Sequence, residues 1–150
     1  MSAVMQSSNE PLLLRSDDQG VATLTLNRAS QFNSLSDGLI YALQAALDAI
    51  ATDTSVRVVV LAGAGKAFCA GHDLKEMRSH PDKAYQQALF RKCGRVMMKL
   101  VELPQPVIAR VHGMAVAAGC QLVAMCDLAV AADTVKFAGS GVNLGLFCST

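Results

Sequence analysis

Between residues 21 and 26 the chain alternates. Val21, Thr23 and Thr25 fall on one face, and Ala22, Leu24 and Leu26 on the other. A period of two predicts a half-buried strand. The period then changes to that of a helix. Leu39, Leu43, Leu47 and Ile50 recur on one stripe behind Ser36 and Asp37, which suit a helix start, and this predicts a helix reaching about residue 53. Val56, Val58, Val59, Val60 and Leu61 form a nearly unbroken apolar run, the pattern of a strand covered on both faces. Residues 83 to about 103 predict a long helix stopped by Pro104, with Leu89, Val96, Leu100 and Leu103 on its apolar side in imperfect register. Residues 106–111 predict another buried strand, 119–126 a short helix and 128–132 a further strand. Residues 1–11 are polar and are expected to be a flexible N-terminus, which leaves 12–150 as one domain. Strand–helix alternation of this kind predicts an α/β fold.

Composition narrows the classes. The chain has 150 residues, enough for a single sizeable core, and 52% hydrophobic against 17% charged residues argues against disorder. Only 5% are aromatic and none is Trp, so aliphatic and small side chains must fill that core. A net charge of +1 gives no footprint for nucleic acid or an anionic membrane, and neither is expected as a partner. The longest apolar tract, residues 113–126, contains two glycines and Gln121 and is too short and interrupted to span a bilayer. Five cysteines, at 69, 93, 120, 126 and 148, are an odd number without C-x-x-C spacing. That argues against a disulfide framework or a zinc site. The first ten residues lack the basic and apolar regions of a signal peptide, and no Arg precedes Arg15. The expected location is a reducing cytoplasm.

The chemistry concentrates in two segments, Lys66-Ala-Phe-Cys-Ala-Gly-His-Asp-Leu-Lys-Glu-Met77 and His112-Gly-Met-Ala-Val-Ala-Ala-Gly-Cys-Gln-Leu-Val-Ala-Met-Cys-Asp127. Each follows a β-like run and turns through glycine, and the second then enters a helix. Such turns leave backbone N–H groups unpaired, where they can face a developing negative charge. Together the segments resemble the paired oxyanion-hole turns of the enoyl-CoA hydratase/isomerase (crotonase) family. The resemblance runs from residue 20 to the end of the chain in family order. The stretch from Ala117 and the ending Val142-Asn-Leu-Gly-Leu-Phe-Cys-Ser-Thr150 look most like its enoyl-CoA hydratase domain-containing members.

That resemblance implies a crotonase-like β-β-α spiral (the ClpP/crotonase fold) with two sheets. It also implies a helical C-terminal region beyond Thr150, so the chain is expected to be a truncated N-terminal core with apolar surface around Leu144, Leu146 and Phe147. The implied ligand is an acyl-CoA thioester. Coenzyme A is part of that substrate, with no other cofactor and no metal, and the implied assembly is a homotrimer or a dimer of trimers. The implied oxyanion donors are the amides of His72 and Ala118. Ala118 stands where the best-known hydratases carry glycine. Only the amide of His72 is needed, and its side chain is expected at the pocket rim or in solvent. Ala70, Gly71, Asp73, Leu74, Lys75 and Gly119 fall in the substrate-binding turns. Lys75 and Arg28 are candidate phosphate partners, with solvated loop charges as the alternative.

Gln121 and Gly141 occupy the positions of the hydratase glutamates. Hydration needs a base for water and an acid for the α-carbon, work that paired carboxylates can do. Gln121 cannot accept a proton and Gly141 offers no side chain. Asn143, His112, Cys148 and Asp127 are the polar residues nearby. His112, after an apolar strand, reads as a satisfied core histidine, and Asp127 as a structural cap. Gly63-Ala-Gly-Lys66 has neither the third glycine of a dinucleotide turn nor the Ser/Thr of a P-loop, and reads as a tight turn. Two functions fit. One is an enoyl-CoA hydratase-like lyase of acyl-CoA or fatty-acid metabolism with weak or different chemistry, such as decarboxylation or thioester hydrolysis. The other is a non-catalytic acyl-CoA-binding or assembly subunit.

Overall fold

The alternating stretch forms a strand, and its buried members line the core. In the computed structural model, which describes residues 10–145, β1 (Leu13–Asp18) pairs antiparallel with β2 (Val21–Leu26). The chain continues through α1 (Asp37–Ala51), β3 (Val58–Gly63), β4 (Ala67–Cys69), α2 (Leu74–Ser79) and α3 (Lys83–Glu102). The described residues finish with β5 (Val107–Val111), β6 (Met114–Val116), α4 (Ala118–Ala124), β7 (Leu128–Ala131), β8 (Phe137–Ala138) and a 3-10 turn, Ser140–Leu144. One sheet has the order β1-β2-β3-β5-β7, parallel from β2 onward, and the second is β4-β6-β8. The expected two-sheet α/β architecture is present.

The core lies where the predicted stripes meet. Leu39, Leu43, Leu47 and Ile50 of α1 join Leu89, Cys93, Val96, Met97 and Leu100 of α3, together with Ala22, Leu24 and Leu26 of β2. Ser36 caps α1 by accepting the Leu39 N–H at 3.2 Å. Two-sided cover of the central strands is not what the described residues show. In β3, Val59 and Leu61 are buried while Val58 and Val60 are half-buried. In β5, Val107, Ala109 and Val111 are buried while Arg110 is exposed. Parallel strands read as continuously apolar, yet here only the face that joins the α1–α3 cluster is fully closed. Every residue of β7 is exposed.

Five elements lie outside the sequence-based expectation. β1 carries Arg15, Asp17 and Asp18, the charges of an edge strand, and Arg15 bonds both Asp17 and Asp53. β4, β6 and β8 are too short for a period to register. Residues 74–79 form a helix where a loop was expected. Of the apolar chain end, Leu144 is 63% exposed, whereas Leu146 and Phe147 lie outside the described residues, as do residues 1–9. Among the described residues no helix is long and apolar enough to cross a membrane.

Candidate active site

The first turn leaves β4 through Ala70, whose N–H donates to the Phe32 carbonyl at 3.0 Å. Gly71 follows with φ +89°, a conformation that costs glycine little. The Leu35 N–H donates to the Gly71 carbonyl at 2.8 Å, and the Asp73 N–H donates to the Leu35 carbonyl at 3.1 Å. In such a parallel bridge the residue between, His72, directs its own N–H away from Leu35. The second turn leaves β6 through Ala117, which has φ +50° and ψ −127°. These are the angles of the first central position of a type II′ turn, one that glycine normally fills. The Ala117 N–H donates to Ala138 at 2.8 Å, and its carbonyl accepts the Gln121 N–H at 3.1 Å. Ala118 thus opens α4, with an N–H that the helix itself leaves unpaired. Neither the His72 nor the Ala118 N–H donates to a backbone carbonyl among the described residues.

The turns touch. A Cβ placed on Gly71 would stand 2.9 Å from the Ala117 Cβ and 3.3 Å from the Ala118 nitrogen. A Cβ on Gly119 would overlap the Cys69 carbonyl oxygen. Glycine at these two positions lets β4 and the start of α4 approach closely, which brings the amides at 72 and 118 to one place.

The two turns decide the relationship. A profile of the enoyl-CoA hydratase/isomerase family matches residues 16–150. The chain belongs to that family. It is 44% identical over 140 residues to the enoyl-CoA hydratase domain-containing protein 3, mitochondrial, of Xenopus laevis, covering 93% of this chain and 48% of that protein. It is 37% identical over 134 residues to the 2,3-dehydroadipyl-CoA hydratase of Escherichia coli, covering 89% and 51%. A solved enoyl-CoA hydratase of Mycobacterium smegmatis superposes with a TM-score of 0.91 at 62% identity, over 93% of this chain and 55% of that one. The human domain-containing protein 3 superposes with a TM-score of 0.87 at 40% identity, over 92% and 55%. The fold is therefore the crotonase fold, and the chain spans about half the length of the curated relatives it matches.

Around the family's first turn the polar residues form one network. Arg28 donates through Nη2 to Asp73 at 2.9 Å, and through Nη1 to the Ser34 carbonyl and hydroxyl at 2.5 and 3.1 Å. Asp73 caps α2 by accepting the Lys75 and Glu76 N–H groups, each at 3.1 Å. Burial pushes the Asp73 carboxyl up, but the Glu76 N–H and the Arg28 guanidinium outweigh it and hold the carboxyl below the ordinary value. Arg28, Asp73 and Lys75 do share one depression, of about 300 Å³, as the sequence placed them together. Yet Arg28 is spent on protein partners and Asp73 is an ordered helix cap, while Lys75 stays exposed. Asn33 went unforeseen. It is fully buried, donates to the Ala64 and Ala67 carbonyls at 2.8 Å each, and accepts the Arg28 N–H at 2.9 Å. The available signal was asparagine itself in the loop after β2, a residue that tolerates a positive φ such as the +54° seen here.

Other expectations need correction. The His72 ring is not free in solvent, although the residue as a whole is half-buried. It sits edge-on to Phe90 of α3 with centroids 4.9 Å apart, and both ring nitrogens are buried without a hydrogen-bond partner among the described residues. Burial lowers its pKa to about 4, so the ring is neutral near pH 7. His112 is satisfied but exposed, through Nε2 and the Gly65 carbonyl at 2.8 Å, so it is no core residue. Asp127 is the structural tie expected of it, accepting the Val107 N–H at 2.7 Å. Leu74 is 46% exposed, and Gly141 is buried in the 3-10 turn after β8. Burial pushes the Cys69 and Cys126 thiols up to about 12, which removes them as nucleophiles, and Cys148 lies outside the described residues.

Proposed function

We propose that this chain binds acyl-CoA thioesters and directs the N–H groups of His72 and Ala118 at the thioester oxygen, where negative charge collects as an enolate-like species forms. The observation that carries this reading is the contact of the two turns, with Gly71 against Ala117 and Ala118. Losing one such preorganised donor typically costs about 3–4 kcal/mol of transition-state stabilisation. Ala70, Gly71 and Gly119 supply backbone that a planar thioester can approach, and exposed Lys75 and Leu74 face the coenzyme. Coenzyme A comes as part of the substrate. The remaining walls of the acyl pocket, and a trimer or dimer of trimers, belong to the whole protein.

Proton transfer is the weak point. Gln121 on α4 can orient a water but cannot take its proton, Gly141 has no side chain, and the neutral His72 ring faces Phe90. Hydration of crotonyl-CoA should therefore be slow, since each positioned acid or base contributes roughly 10²–10⁴-fold. Thioester hydrolysis or decarboxylation, which lean on the oxyanion donors, tolerate the loss. The same two positions favour a second reading, a non-catalytic acyl-CoA-binding subunit. Calorimetry on the intact protein should show acyl-CoA preferred over free CoA, and equal or absent binding of both would refute the site. Turnover of a panel of CoA thioesters separates an enzyme from a binding subunit. Loss of the crotonyl-CoA enone absorbance at an ordinary hydratase's rate would refute the account of Gln121 and Gly141.

A further inference from the structure

The segment that carries the His72 amide is held mainly by polar ties. α2 has six residues and none of them is buried. Its apolar share in the core is the half-buried Met77, so packing holds it far less than it holds α1 and α3, each with five buried side chains. Polar ties add to this, and at its far end Gln86 of α3 donates to the Met77 and His80 carbonyls at 2.9 and 2.8 Å. Asp73 is clamped by Arg28, whose side chain is 15% exposed beside a carboxylate 13% exposed. Glu76 accepts the Asp37 N–H of α1 at 2.9 Å, and Asp37 in turn pairs with Lys92 of α3 at 2.6 Å. The Arg28–Asp73 pair is the most enclosed of these, and Asp73 is the residue immediately after His72. A charge-assisted pair shielded from water holds geometry far better than an exposed one. The guanidinium also grips Ser34, next to Leu35, which bridges both sides of His72. One side chain thus ties the strand that carries His72 to the Ser34–Leu35 strand beside it, from which the His72 N–H points away.

Resting on the acyl-CoA reading above, we propose that Arg28 is a positioning residue. By clamping Asp73 and Ser34 it sets the direction of the His72 N–H toward the thioester oxygen, and it does not bind the phosphates of coenzyme A. Its own donors point at protein acceptors, so removing it should cost recognition of the carbonyl and spare recognition of the nucleotide.

The test uses the intact protein and three variants, Arg28→Met, Arg28→Lys and Asp73→Asn. Calorimetry with butyryl-CoA and with free CoA gives the ratio of the two affinities. Hydrogen exchange of residues 70–79 reports whether the turn is loosened. Arg28→Met should weaken butyryl-CoA by about tenfold or more, the scale of a lost charge-assisted hydrogen bond, while free CoA changes by less than about twofold. Exchange across 70–79 should rise while the β2 and β5 amides keep their protection. Arg28→Lys should recover part of the ratio. Asp73→Asn, which keeps an oxygen to cap α2 but loses the charge, should fall between the two. Equal loss of both ligands in Arg28→Met would place Arg28 on the coenzyme and overturn the positioning role, as would an unchanged ratio with unchanged exchange. An unaltered protein that does not distinguish butyryl-CoA from CoA would instead overturn the parent reading.

Discussion

The turn through Gly71 and the turn through Ala117 meet at the same place but are built differently. The first has glycine at its positive-φ position, at +89°, and leads into a short helix with no buried residue. The second has alanine at φ +50° and ψ −127°, in a region glycine normally occupies. It is pinned on both sides, by the Ala117–Ala138 hydrogen bond to β8 and by Gly119 pressed on the Cys69 carbonyl. An unstrained turn needs partners to define it, and here those partners are the backbone bonds to Phe32 and Leu35 together with the Arg28–Asp73 pair. A strained turn persists only where its surroundings over-determine it, and here that means close packing. Substitutions that alter charge should therefore act on the first turn and substitutions that alter volume on the second.

The largest effect is expected from Gly119→Ala. The new methyl would meet a main-chain carbonyl oxygen, which cannot swing aside as the end of a flexible side chain can. Separation of β4 from α4 should cost about 3 kcal/mol or more, read by urea unfolding of the intact protein. A loss under about 1 kcal/mol would mean that the second turn is not held by packing.

Acid comes next, and it acts on the first turn. The folded pKa of His72 is lowered from 6.5 to about 4 by burial, so the fold favours the neutral ring. Its contribution to stability is intact above 6.5 and is lost as pH falls through that window, by about 3 kcal/mol in all. In His72→Leu that titration is gone. The difference in unfolding free energy between the two proteins should therefore move by about 3 kcal/mol in favour of the variant between pH 7 and pH 4. Parallel pH dependence in both proteins would show that the ring is solvated.

Ala117→Gly should have the smallest effect and the opposite sign. Relief of strain of roughly 1–3 kcal/mol, less the added freedom of the unfolded chain, should stabilise by about 1 kcal/mol. A melting temperature that falls instead would show that the Ala117 methyl contributes more by packing on Gly71 than its backbone angles cost.

These differences also explain what could be read in the sequence. Long periodic segments were legible, because Leu39, Leu43, Leu47 and Ile50 repeat over about three turns and Pro104 marks the end of α3. The two glycine turns were legible as motifs. Two- and three-residue strands such as β4, β6 and β8 were not, since they exist through pairing with distant residues and show no period of their own. The strand β1 was hidden by the charges that protect its edge. At the site, the positions of His72 and Ala118 followed from motif order, but the turn-in of the His72 ring depends on Phe90, eighteen residues away on another helix. The Arg28–Asp73 pair likewise joins residues forty-five apart. Strain at Ala117 rather than at Ala118 is a matter of dihedral angle, which no composition rule reports.

The central claim is that two backbone N–H groups recognise one thioester oxygen. The most direct measurement compares butyryl-CoA with its thioether analogue, which keeps the chain and the coenzyme but lacks the carbonyl. Both are titrated into intact protein labelled at the His72 and Ala118 amide nitrogens. The thioester should bind about tenfold or more tighter, as two hydrogen bonds imply, and should shift both amide resonances downfield. Equal affinity for the two ligands, with neither amide responding to the thioester, would contradict the account.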